Sequence, residues 1–144
     1  MKIANNENKK ICSKCNRCCC KNSPCTYIPD DLKLDEITIP ELICKIEKSG
    51  YLSIVWANGF LYMRPRRKEG PIIDFKIVGD GLQECSLLTE KGCSLSFKER
   101  PTGGKALVPQ EDGKCYSTLS NNDFYKMWKP YQSLLKIVME AFIE

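Results

Sequence analysis

Cys12-Ser-Lys-Cys15-Asn-Arg-Cys18-Cys19-Cys20, followed by Cys25, places six thiols within fourteen residues. Two Cys-x2-Cys steps allow one tight loop to turn several sulfurs onto a single metal ion. The chain carries ten cysteines and no histidine. A soft, all-sulfur ligand set favours zinc, an iron–sulfur cluster or monovalent copper over magnesium, calcium or manganese. A second group follows in Cys85-Ser-Leu-Leu-Thr-Glu-Lys-Gly-Cys93, where Gly92 permits a tight backbone before the thiol, with Cys115 after a Gly-Lys turn.

The thiols are not equivalent. Cys12, Cys15, Cys18, Cys19 and Cys25 are the candidate ligands of the first knuckle, and Cys85, Cys93 and Cys115 those of the second. Adjacent Cys18 and Cys19 cannot easily reach one small tetrahedral ion together. They serve two metals, bridge a binuclear centre, or leave one thiol packing as a small apolar group. Cys20 is the weakest candidate of its run. Cys44 lies inside an amphipathic helical pattern and is expected to be a buried core thiol. Joining the two knuckles closes a loop of about sixty residues at roughly 3–4 kcal/mol of chain entropy. A structural zinc contributes an apparent ~10–16 kcal/mol, so one composite centre built from both groups is expected.

The elements that must hold these loops can be read locally. Residues 1–11 are polar and are expected to form a disordered arm, and 12–144 a single domain. At 144 residues such a chain buries roughly 68% of its unfolded surface. Tyr27-Ile-Pro-Asp-Asp-Leu32 is a turn leading into an acidic stretch. Thr38-Ile-Pro40-Glu41 looks like a helix start, the helix running through Leu42, Ile43, Ile46 and Glu47 to a stop at Gly50. Tyr51–Ala57 and Phe60–Met63 are rich in β-formers and flank Asn58-Gly59, the strongest short hairpin signal. A third strand is expected at Ile72–Val78, closed by Gly79-Asp-Gly81, and a short one within Leu82–Leu88. Thr102-Gly-Gly104 and Glu111-Asp-Gly113 read as turns. Ser120-Asn-Asn-Asp123 resembles a capping box. After Pro130, Tyr131, Leu134, Leu135, Val138 and Phe142 recur at helical spacing and should dock on the sheet or on a partner.

Composition narrows the function classes. The opening ten residues have no apolar h-region, and no apolar run approaches the ~18 residues of a membrane span. The expected compartment is cytoplasmic, where thiols stay reduced and clustered cysteines hold metal rather than forming disulfides. The formal charge of +4 is offset by a four-thiolate site, which with a divalent ion contributes about −2. A nucleic-acid partner is therefore disfavoured. Its one basis would be the basic run Arg64-Pro-Arg-Arg-Lys68, with Tyr62 and Trp56 for stacking, and that run reads better as a solvated hairpin end. Asp30, Asp31, Asp35 and Glu36 read as a solvated acidic loop. No Walker loop, dinucleotide fingerprint or serine nucleophile motif occurs.

With these residues in hand, the chain resembles the YkgJ-type CxxCxxCC cysteine-cluster family of zinc- or iron-chelating proteins. The likeness rests on Cys12-x2-Cys15-x2-Cys18-Cys19, on Cys25 with Pro29-Asp30-Asp31, and on Cys85-x7-Cys93 with Arg100-Pro101. Tyr62-Met-Arg64-Pro65-Arg66 also resembles the family's middle segment. The likeness spans roughly residues 12–115. It implies metal binding and assigns no reaction. Members place a further cysteine three residues after the Arg-Pro pair, where this chain has Gly104. Cys115 or Cys20 would then complete the set.

The expected molecule is a small α+β single domain. It has a short antiparallel sheet, a few helices, and a cysteine-rich metal centre joining two loops. Its expected role is that of a cytosolic metal-binding protein in which zinc is mainly structural and supports a surface for a protein partner. The alternative is an iron–sulfur protein with a redox or enzymatic role.

Overall fold

The computed structural model describes residues 25–57, 59–76, 85–89, 92–93, 99–105, 107–109 and 115–143. The arm at 1–11, Cys12, Cys15, Cys18, Cys19 and Cys20, and the turns expected at 79–81 and 111–113 lie outside the described residues. The architecture is α+β. A short 3-10 turn, Pro29–Leu32, leads to helix α1 (Ile39–Ser49) and then to strands β1 (Leu52–Ala57), β2 (Phe60–Pro65) and β3 (Ile73–Lys76). Two small ladders follow, β4 (Leu88–Thr89) with β5 (Gly92–Cys93), and β6 (Leu107–Pro109) with β7 (Cys115–Ser117). The single-turn helix α2 (Thr102–Lys105) lies between them, and α3 (Asn121–Trp128) and α4 (Gln132–Phe142) close the chain.

Local chemistry sets the ends of α1. The Thr38 hydroxyl accepts from the Glu41 N–H at 3.2 Å, and the Glu41 carboxylate accepts from the Thr38 N–H at 3.3 Å. This reciprocal pair satisfies two orphan donors at the helix start. Gly50 stops the helix with φ +72°, a left-handed conformation that glycine adopts without penalty. The same device starts α3. The Asp123 N–H donates to the Ser120 hydroxyl at 3.1 Å, and the Ser120 N–H donates to the Asp123 carboxylate at 2.7 Å. The Ser120 N–H, helped by the Ser120 hydroxyl, holds the Asp123 carboxyl below its usual range.

The sheet order is β2-β1-β3. β1 and β2 form the expected antiparallel hairpin, with Ala57 opposite Phe60 and Leu52 opposite Pro65. β3 corrects the expectation of an antiparallel sheet, because it runs parallel to β1 with Ile54 opposite Ile73. β2 ends beside the start of β1, so the chain passes across that end and β3 must begin there too. Residues 58–72, β2 included, thus form the crossover, long enough for the dozen or so residues a parallel connection needs.

One face of the sheet packs Leu52, Ile54, Leu61 and Met63 with Leu42 and Ile46 of α1 and Leu135, Val138 and Met139 of α4. The stripe of α4 therefore docks on the sheet. Trp128, fully buried, donates its indole N–H to the Tyr27 carbonyl at 2.8 Å. β1 is buried at four successive positions from Leu52, because its second face is covered as well. That face carries Ser53, Val55, Arg64 and Asp74, all buried.

The outer edge of β2 is satisfied by side chain and loop rather than by another strand. The Gln132 carboxamide accepts from the Leu61 N–H at 2.8 Å and donates to the Leu61 carbonyl at 2.7 Å, while Met63 O accepts from the Tyr27 N–H at 3.0 Å. Gln132→Ala leaves both Leu61 groups unpaired. It is expected to cost about 2 kcal/mol in a denaturant titration, and Gln132→Glu does not rescue it, because a carboxylate oxygen would then face the Leu61 and Trp128 carbonyls that the amide now serves.

Candidate metal centre

The described part of the first knuckle is its last thiol. Cys25 is half-buried, and the residues after it are held by backbone bonds. Thr26 O accepts from the Gly103 N–H at 2.9 Å, and Tyr27 N–H donates to Met63 O at the end of β2. The second knuckle meets the same stretch of chain. Ser86 N–H donates to Arg66 O at 2.8 Å, and Cys85 forms an antiparallel bridge with Arg67. Met63 and Arg66 are separated by about 10 Å of extended chain. The segments carrying Cys25 and Cys85 therefore both attach to one end of the β1–β2 hairpin.

Cys85 is buried, and the Leu87 N–H donates to its sulfur at 3.5 Å. An N–H aimed at sulfur from two residues on favours the thiolate over the thiol. The β4–β5 ladder then returns the chain, with Thr89 opposite Gly92 and Leu88 opposite Cys93. It brings the Cys93 backbone back beside the residues that follow Cys85. Cys115 opens β7, opposite Pro109. The ligand candidates Cys12, Cys15, Cys18 and Cys19 lie outside the described residues. Among the described residues, no three Cys, Asp or Glu side chains converge on one point that could hold a metal ion.

Cys44 is exposed, not buried. Leu42 and Ile46 mark the buried face of α1, and at ~100° per residue Cys44 stands roughly 200° from Leu42, on the opposite side. Cys44→Ala is expected to leave metal content and melting temperature unchanged, as metal analysis and a thermal melt would show.

The basic run is likewise not a solvated hairpin end. β2 extends to Pro65, so Arg64 is drawn into the sheet, where it is 6% exposed. Its guanidinium contacts Asp74 of β3 at 3.3 Å, and Arg67 Nε donates to the same carboxylate oxygen at 2.9 Å. Arg66 donates to the carbonyls of Leu52 and Ile46 at 2.7 and 3.1 Å. Three cations of the run, Arg64, Arg66 and Arg67, are thus bonded within the fold rather than offered to a phosphate backbone. Burial raises the Tyr62 phenol on the same face.

The acidic loop also turns inward in part. Asp31 Oδ2 accepts from the Thr102 N–H at 2.8 Å and the Ile28 N–H at 3.0 Å, and Oδ1 accepts from the Thr102 hydroxyl at 2.6 Å. Asp35 accepts from the Tyr131 hydroxyl at 2.6 Å, and that bond pushes the phenol up to about 12. Thr102-Gly-Gly104, expected as a turn, lies in the single helical turn α2, whose first N–H is received by Asp31. Sequence reading took Asp31 for part of a solvated acidic loop and Thr102 for part of a turn, and passed over Asp74. Asp31 stands in a local turn motif, but its partner is 71 residues away, and no local signal announces that pairing. Compared with family models, curated proteins and solved structures, the chain gives no match to any.

Proposed function

We propose that this chain is a thiolate metal-binding protein in which zinc is mainly structural, tying the two cysteine knuckles together. The observation that carries the reading is the attachment of the Cys25 and Cys85 segments to one end of the β1–β2 hairpin, through Met63 and Arg66. The donor chemistry fits the ion. The site offers cysteine sulfur without histidine, the set that zinc accepts in closed structural sites. Cys85, buried with an N–H on its sulfur, has the surroundings of a ligating thiolate. A zinc held by four thiolates carries about −2. When bound, zinc would contribute cross-linking alone. The chain's own residues hold the knuckles in place and exclude water from Cys85.

The resemblance to the YkgJ-type cysteine-cluster family points the same way, and the cytoplasm is the compartment in which such thiols stay reduced. No helix among the described residues is long and apolar enough to cross a membrane. A protein partner would find its apolar contact on the exposed rings of Trp56 and Phe75, whose centroids lie 5.4 Å apart at the end of the sheet.

Metal analysis with an absorption spectrum of anaerobically purified protein tests the proposal. Stoichiometric zinc in a colourless sample supports it. A brown sample with stoichiometric iron and sulfide, bleached by reductant, replaces zinc with an iron–sulfur cluster.

A further inference from the structure

We propose that Asp31 is a positioning residue of the metal centre. With Thr102 and Gly103 it forms a metal-independent latch that holds the Cys25 segment against the chain between Cys93 and Cys115. This inference rests on the metal-binding reading and deepens it, because it names what orders the site before the ion arrives.

The latch consists of bonds that involve no sulfur. The Asp31 carboxylate receives the Thr102 N–H and hydroxyl, at 2.8 and 2.6 Å, across 71 residues of chain. Its third bond, from the Ile28 N–H at 3.0 Å, fixes the carboxylate to its own turn. The Gly103 N–H adds a backbone bond to Thr26 O, the residue next to Cys25. Thr102 is only 4% exposed, so water does not compete for these groups.

Gly103 shows how close the two segments come. A Cβ at that position would stand 2.6 Å from Thr26 O and 2.9 Å from Thr26 N. The obstacle is backbone that cannot rotate aside, so a side chain at 103 must push the Cys25 segment away. Glycine here permits the contact.

A flexible loop of this length carries a closure entropy that the ligand must overcome if nothing else closes the loop. The latch closes it beforehand, so the thiols on either side start near their bound arrangement and zinc binds more tightly. Partners hydrogen-bonded directly to a metal ligand alter affinity by roughly 10–100-fold when removed, and that range sets the scale for a latch that positions the ligand-bearing segment. The carboxylate can be replaced by an amide without losing the geometry. The Asn oxygen can accept the two backbone N–H groups, and its NH2 can donate to the Thr102 hydroxyl, which accepts as readily as it donates.

The test is a competition titration of the reduced full chain with zinc(II) and a chromophoric chelator, alongside thermal melts of the metal-free protein. Asp31→Ala is expected to bind zinc 10–100-fold more weakly, and Asp31→Asn to stay close to the parent. A Kd for Asp31→Ala equal to that of the parent overturns the latch and leaves the metal reading intact, even if both forms melt lower. Equal weakening by Asp31→Asn and Asp31→Ala also overturns it, since charge rather than position would then be the cause. A parent chain that takes up no zinc overturns the metal reading itself, and the latch with it. If Asp31→Ala does not fold, Thr102→Val is read in its place. It keeps the shape and loses the hydroxyl bond, so a several-fold weaker Kd supports the latch and an unchanged Kd overturns it.

Discussion

Cys85→Ser is expected to strip the protein of most of its metal and to lower the melting temperature of the metal-loaded form by roughly 10 °C. The magnitude follows from an even share of the ~10–16 kcal/mol that a four-ligand structural zinc supplies, about 3–4 kcal/mol per thiolate. That share corresponds to a loss of a few hundred-fold in affinity, and at ~2–4 °C per kcal/mol for a chain of this size it gives the expected shift. Serine keeps the size of the side chain and can receive the Leu87 N–H that now meets the sulfur. It stays protonated at neutral pH and is a hard donor, so the ion loses a ligand while the packing is nearly kept. The bland alternative is a buried core thiol, since Cys85 is 4% exposed. A chelator separates the two. If Cys85 ligates, parent and variant melt together once metal is removed. If the gap persists without metal, Cys85 is packing and the composite centre loses its second anchor.

Asp74→Ala is expected to be more damaging to the fold itself, and to act without regard to metal. Asp74 is 3% exposed, and a single oxygen of its carboxylate receives both Arg64 and Arg67. Removing it leaves a buried guanidinium uncompensated, a loss of the kind that costs roughly 3–5 kcal/mol. The Nε of Arg64 already has no hydrogen-bond partner, so the guanidinium has little else to turn to. Urea denaturation of the metal-free chain checks the size of the loss. The double variant Asp74→Leu with Arg64→Met should recover much of it, because an apolar pair of similar volume often matches a buried ion pair. A double variant as unstable as Asp74→Ala would mean that Arg67, not Arg64, carries the uncompensated charge.

The parts of this fold that could be read in advance are those whose determinants lie within a few residues. Thr38 with Glu41, Ser120 with Asp123, Gly50, and the Asn58-Gly59 turn each act over one to four positions, and the structure has α1, α3 and the β1–β2 hairpin where they are expected. The misreadings share a different cause. Arg64 looked exposed because its partner, Asp74, comes from a strand whose direction was not legible. The direction of β3 depends on which edge of β1 the chain reaches after Pro65, and nothing in the turn after Pro65 states it. Cys44 was misplaced for a simpler reason. It sits two positions from each of two core residues, which on a helix means the far side. For the candidate centre, thiol type and spacing were readable, while the bonds that hold the Cys25 and Cys85 segments are backbone and carboxylate contacts made between distant segments.

The 101-residue span between Tyr27 and Trp128 also has a consequence in time. At a synthesis rate of about 5–20 residues per second, Trp128 leaves the ribosome roughly 5–20 s after Tyr27. The hairpin and β3 lie within residues 52–76, and such short-range pairings form early. The segment that follows Cys25 can therefore join the hairpin early, through Tyr27 and Met63, while its contact with Trp128 closes only at the end. During that interval a nascent chain presents reduced cysteines to any thiophilic ion or oxidant in its surroundings.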